Sequence, residues 1–241
     1  MRAFNKARRA SRPVGFFTSE KALTMAQVPT GTTFFIASAF AAALPNTAVS
    51  NATEAVVSMT STTGLANGDF VEVTSGWGRL HKRIFRVKSL VLNTSIVLEG
   101  ADTTSSTFFP TGGGVGSVRK VNTFTQITQV TAVSSSGGDP VTVDYKYIES
   151  DVRYSINDGF NASSYTLTLD ADSIGTAGYN ALRTLTDVQT DTVLRVNTRS
   201  GQINLIPCTV ALNEAVSMSD GQINTVTASF NGNNRLTRYA S

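Results

Sequence analysis

The sequence predicts a mainly β protein, a sandwich or barrel carrying one helix, with a small β module inserted into it. Three observations predict this. Charged residues make up only 15% of the 241 positions, and Gly, Ser, Thr, Asn and Val recur throughout, a mixture that suits pleated surfaces and tight turns. Short apolar runs alternate with turn signals at close, regular spacing. Only one segment carries a helical period.

Residues 1–33 show no sustained period and read as an arm ending in the turn-like Pro29-Thr30-Gly31. Phe34 to Leu44 (FFIASAFAAAL) is the longest apolar stretch. It suits either a buried strand or a short helix, and Pro45 is expected to stop it. From 46 to 122 short strands follow one another. Val56, Val57 and Met59 mark one, and Phe70, Val71 and Val73 mark the next, after the turn Asn67-Gly68-Asp69. Ile84, Phe85, Val87 and Leu90 follow a loop holding Trp77 and His81, and Ile96, Val97 and Leu98 close the series. This spacing is that of a small barrel or sandwich, with Trp77 in its core. Thr111 to Gly116 reads as a flexible, Gly-rich turn.

From 123 onward the strands lengthen. Phe124, Ile127 and Val130 lie on a run bounded by Gly137-Gly138-Asp139-Pro140. Val141, Val143, Tyr145 and Tyr147 alternate with Thr142, Asp144 and Lys146, which predicts a half-exposed strand. Asp151 to Asn161 reads as a polar loop containing Asp158-Gly159. Tyr165, Leu167 and Leu169 alternate again, and Ala177 to Leu185 is the helix. Val193, Leu194 and Val196 form a strand that turns at Arg199-Ser200-Gly201 and returns through Ile203, Leu205 and Ile206. Ile223, Val226 and Phe230 finish the sheet, and no internal repeat is visible.

Charge is distributed unevenly. Residues 1–24 hold six Lys or Arg against Glu20, a net of +5; the remaining 14 basic and 16 acidic residues give −2. A nucleic-acid-gripping surface carries its positive charge on the folded body, and this body is mildly acidic. The arm reads either as an upstream extension ahead of a start at Met25 or as a segment that orders on assembly. No run reaches the roughly 18 apolar residues of a spanning helix. About twenty residues separate the basic segment from Phe34, unlike a secretory signal.

Chemistry-bearing constellations are weak. Cys208 is the single cysteine and His81 the single histidine, which excludes a disulfide framework and a Cys-rich zinc site. They read as a packed strand residue and an ordinary loop or strand residue. The string TGGGVGSVRK fails the phosphate-loop spacing, since four residues after Gly112 comes Ser117. Asp170-Ala171-Asp172 begins like a calcium loop, but its fifth position is Ile174 and its closing position Ala181. The pairs Glu149/Asp151 and Asp69/Glu72 read as solvated acids, and the sequons at Asn51, Asn93 and Asn161 as chance. No catalytic, cofactor or metal residue is assigned.

Three strings carry a resemblance: GDFVEVTSGWGRL (68–80), LEGADTT (98–104) and GGGVGSVRKV (112–121). They resemble tail tube proteins of long-tailed, non-contractile bacteriophages. The opening GTTFFIAS (31–38) looks like the start of the same proteins, and the later half is similar in layout to the lambda-type tube subunit. The resemblance covers about 25 to 241; residues 1–24 have no counterpart in it. It implies a tube domain of residues 25–45 and 123–241, a barrel-like insertion at 46–122 facing outward, and a helix on the outer side. Six copies would close a ring, and stacked rings would enclose a tape-measure protein later replaced by DNA. Tail terminator and distal tail or baseplate proteins would cap the tube, which is made in the bacterial host cytoplasm and has no membrane partner. With about four strands from each copy, roughly 24 strands spaced ~4.8 Å and tilted give a bore backbone on the order of 40 Å across. Tyr145, Tyr147, Glu149, Asp151, Arg153, Tyr154 and Asp158, in and beside the loop after Tyr145, are the expected contacts to the adjacent ring. Two other readings stay open: a secreted or surface β-rich binding or adhesion protein exported through the segment near 34–44, and a hydrolase using His81.

Overall fold

A computed structural model of the protein describes residues 29–240; the predicted basic arm and the alternative start at Met25 lie outside the described residues. In chain order the strands are β1 (Thr33–Phe40), β2 (Leu44–Val49), β3 (Val56–Met59), β4 (Phe70–Ser75), β5 (Arg83–Val91), β6 (Ser95–Leu98), β7 (Gly116–Ile127), β8 (Val130–Ser136), β9 (Pro140–Tyr145), β10 (Tyr154–Phe160) and β11 (Ser164–Asp170). Helix α1 (Ala177–Val188) follows, and then β12 (Thr192–Asn197), β13 (Ile203–Ser217), β14 (Thr225–Gly232) and β15 (Thr237–Tyr239). The architecture is mainly β, as the composition and spacing predict, with the one outer helix and the small inserted β module that the resemblance implies.

The module is a closed barrel. β2 pairs with β3, β3 with β6, β6 with β5, β5 with β4 and β4 with the first half of β7, and β7 returns to β2. Closure leaves no bare edge in these strands. Alternate residues fill the interior, among them Val57, Val71, Phe85, Ile96 and Val118. Trp77 is buried, edge-on to Phe109 at 5.3 Å, and its Nε1 donates to the Pro110 carbonyl at 2.8 Å. The Gly-rich turn is packed rather than loose. A Cβ on Gly114 would touch Trp77 and Val49, and one on Gly116 would run into the Thr74 carbonyl, so these positions are glycine because neighbouring chain comes too close for anything larger.

The main sheet has the order β7-β1-β12-β13-β14-β11-β8 and is antiparallel throughout, with β15 pairing the start of β13. One face packs Phe34, Ile36, Leu167, Ile206 and Phe230 against Tyr179 and Leu182 of α1. The helix begins where Thr176 Oγ1 accepts the Tyr179 N–H at 3.4 Å and ends at Gln189, which is left-handed with φ 53. Gly178 lets its first turn lie directly on the Gln126 carbonyl of β7. A third cluster, with Ile84, Val121, Val193 and Leu205, cements the module to the opposite face of the sheet.

Several local expectations are corrected. Phe34 to Leu44 resolves as β1 followed by a break at 41–43, and Pro45 does not end it. Pro45 is the second residue of β2, ahead of the first residue paired with β3 (Asn46), a place near a strand start where a missing N–H is tolerated. Val130 opens its own strand, β8, instead of continuing β7. The sheet finishes at β14 and the short β15, with Ile223 exposed outside them.

Candidate functional site: an exposed hairpin and an open sheet

Between β8 and β11 the chain leaves the sheet. Gly137 and Gly138 both take left-handed φ values, 79 and 80, and a Cβ on Gly137 would strike the Ala162 carbonyl. Beyond this kink β9 and β10 form a separate two-stranded ribbon. Its foot is tied by the Gly138 N–H to the Asn161 carbonyl at 3.2 Å and the Asn161 N–H to the Asp139 carbonyl at 2.9 Å. The segment expected to be a polar loop, 151–161, is therefore mostly strand: Tyr154 pairs with Tyr145 and Ile156 with Val143. A bulge at Asp158 interrupts the register between Asn157 and Gly159.

Pairing sorts the ribbon into two faces. Tyr145, Val143, Tyr154 and Ile156 share one, and Asp144, Thr142, Ser155 and Asn157 share the other. The strand predicted as half-exposed is exposed on both faces, because nothing else among the described residues covers its apolar side: Val143 is 47% and Ile156 54% accessible. Of the expected contact residues, the structure brings Tyr145, Tyr147 and Tyr154 into one aromatic cluster, with centroids 5.4 to 6.0 Å apart. Glu149, Asp151 and Arg153 lie in the connection between the strands, and Asp158 lies at the bulge. None of these four forms an ion pair among the described residues. The sequence reading missed Val141, Val143, Ile148, Val152, Ile156 and Phe160, all exposed. The signal for Val141 and Val143 was the alternation through Tyr147, and for Val152 and Ile156 a second alternation, Val152-Arg153-Tyr154-Ser155-Ile156, in the opposite phase. A patch of this kind marks an interaction surface, and an isolated two-stranded ribbon is marginal in water.

The sheet is also open. β8 is its last strand, hydrogen-bonded on one side only, and it is exposed from Thr131 to Ser136. The face opposite α1 is uncharged where β13, β14, β11 and β8 run side by side. Three successive rows read Thr209-Asn231-Ser164-Ser136, Ala211-Ser229-Thr166-Ser134 and Asn213-Thr227-Thr168-Ala132. Hydroxyls bond along it, as between Ser136 and Ser164 at 2.7 Å.

Elsewhere the chemistry is inert. His81 Nδ1 accepts the Ser75 N–H at 3.4 Å. Cys208 is wholly buried. Asp170 caps a single 3-10 turn by accepting the Asp172 N–H at 3.0 Å. No cluster of metal-ligating side chains occurs among the described residues, and no described helix is long and apolar enough to cross a membrane.

Comparison with known proteins bears on this surface. The family described as phage tail tube protein, TTP, matches residues 75–241. No curated protein matches. Among solved structures, a chain of the virion of a native gene transfer agent (GTA) particle is 16% identical, with a TM-score of 0.40 over 48% of this chain and 89% of that one. A chain from the tail of an empty GTA particle with C6 symmetry is 17% identical, with a TM-score of 0.39 over 48% of this chain and 87% of that one.

Proposed function

Because this chain belongs to the phage tail tube protein family, and so is a structural protein of a phage-like tail, we propose that its copies close into hexameric rings and that the rings stack through the β9–β10 hairpin. The family match over 75–241 carries the reading; the uncovered apolar hairpin supports it from the physics. Head-to-tail contacts around a closed ring cover the open edge at β8 in every copy, as a heterologous interface must. Tyr145, Tyr147 and Tyr154, with Val143 and Ile156, are the anchors of the contact to the next ring, and Glu149, Asp151, Arg153 and Asp158 form its charged rim. Tape-measure protein, tail terminator and distal tail or baseplate proteins are the further partners, and the subunit is made in the host cytoplasm.

The uncharged face of β13, β14, β11 and β8 is the bore lining of this proposal. Each phosphate that a wall neutralises adds salt-dependent affinity, and stacked rings would multiply it. Rows of Ser, Thr, Asn and Ala give a passing duplex water-like hydrogen bonding and no counter-charge. The same proposal divides the chain into an arm (1–24), a tube domain (25–45 and 123–241) and an outward insertion (46–122). The separate core clusters of the barrel and the main sheet support that division.

Negative-stain microscopy of the purified protein tests the class: sixfold rings or tubes are expected. Deleting 152–159, which removes the last two residues of the connection and all of β10 but Phe160, should leave a folded monomer that does not polymerise. Tubes of normal length from that variant would remove the hairpin from the contact.

A further inference from the structure

We propose that the cleft at the foot of the hairpin is a carboxylate receptor for a second copy of this chain, filled by Glu149 or Asp151 from that copy's hairpin tip. This rests on the stacking reading above and names its receiving partner. The cleft encloses about 730 Å3 between the hairpin foot, at Gly138 and Phe160, and the connection from Asn233 to Leu236. Two guanidinium groups line it, Arg83 and Arg235, and no Asp or Glu does.

Arg83 projects from β5 of the barrel. Its Nη2 donates to Thr237 Oγ1 at 3.3 Å, while its Nε is closed to solvent and has no acceptor. Burial lowers its pKa; Tyr239 opposes that shift and the neighbouring Arg235 charge adds to it. Arg235 is exposed, with its guanidinium 4.4 Å from the Phe160 ring centroid. Neither has an acid within ion-pair distance among the described residues. Two unpaired forks facing one cleft are the chemistry that takes a carboxylate through charge-assisted hydrogen bonds.

The occupant follows from the stacking reading, which sends the hairpin tip, and the acids it carries, to the next copy. Glu149 and Asp151 lie at the far end of the ribbon and form no ion pair among the described residues. The six residues of β9, at ~3.3 Å each, hold that tip roughly 20 Å from its own foot. The tip cannot fold back into its own cleft, so the carboxylate of this proposal comes from another copy. A polyanion such as DNA suits the cleft less well, because Asp139, Asp144 and Asp158 stand on the same ribbon.

The test is charge reversal in the full chain. Arg235→Glu, at an exposed position, should leave the thermal midpoint of the monomer unchanged and raise the concentration needed for polymerisation about tenfold or more. Adding Glu149→Lys and Asp151→Lys should restore assembly. Independently, Asn233→Cys with Ser150→Cys should give covalent ladders under mild oxidant, the buried Cys208 staying silent. Wild-type tubes together with unimpaired Arg235→Glu tubes, or no ladder, overturn the receptor alone. Wild-type protein that never stacks overturns the stacking reading and the receptor together. Binding of short duplex DNA that Arg235→Glu abolishes while assembly is untouched makes the ligand a phosphate and also overturns it.

Discussion

Cys208 and Tyr239 share a property that alkaline pH exposes. Burial pushes the Cys208 thiol from 9.0 up to about 12. Burial likewise pushes the Tyr239 phenol from 10.0 up to about 12; its hydroxyl accepts the Arg86 N–H at 2.7 Å and donates to the Glu99 carbonyl at 3.3 Å. Both groups keep their protons in the folded chain at pH values where the unfolded chain releases them. The folded state therefore binds more protons between pH 9 and about 12, and stability falls as pH rises through that window. Below it the contribution is complete. Thermal unfolding midpoints should drop steeply from pH 9 upward, and Cys208→Ala should flatten the slope; identical slopes in both proteins would refute the assignment. Residue-scale detail of this kind was only half legible in the sequence. Trp77 was assignable to a core because a lone tryptophan in a strand-rich stretch buries large area. The crowding at Gly114 and Gly116 was not, because it comes from Trp77 and Thr74, about forty residues earlier in the chain.

Among the elements, those whose pattern is answered inside the chain were the readable ones. β11 alternates because Leu167 and Leu169 face α1 while Thr166 and Thr168 face away, and α1 itself follows from Tyr179, Leu182 and Leu185 on one side. β9 and β10 broke the rule. Their alternation is as regular, but its apolar half has no partner among the described residues, so Val143 and Tyr145 promised burial that those residues do not supply. Asp158-Gly159 looked like a loop because a bulge uses loop residues. At this scale the decisive variant is Tyr145→Ser with Ile156→Ser. It should change monomer stability by about 1 kcal/mol or less, since both side chains are exposed, and abolish tubes in the microscope. Unaltered tubes would show that the ribbon's apolar face is not an anchor.

For the whole molecule, the question is how a tube subunit meets a polyanion without gripping it. The uncharged rows on the face away from α1 answer it within the proposed ring. Ser229→Arg should leave folding and tube formation intact, because Ser229 is half-buried on an open face. It should also make particles that release DNA slowly, with a rate that recovers as salt rises. Release indifferent to the added arginine would place the bore elsewhere. One further consequence comes from β7, whose twelve residues serve the barrel with one half and the main sheet with the other. A strand shared this way is an axle welded at both ends. The barrel cannot swivel on a tether as a beaded decoration would, so any peptide grafted into its Leu92-Asn93 turn would ride on every copy at one fixed bearing.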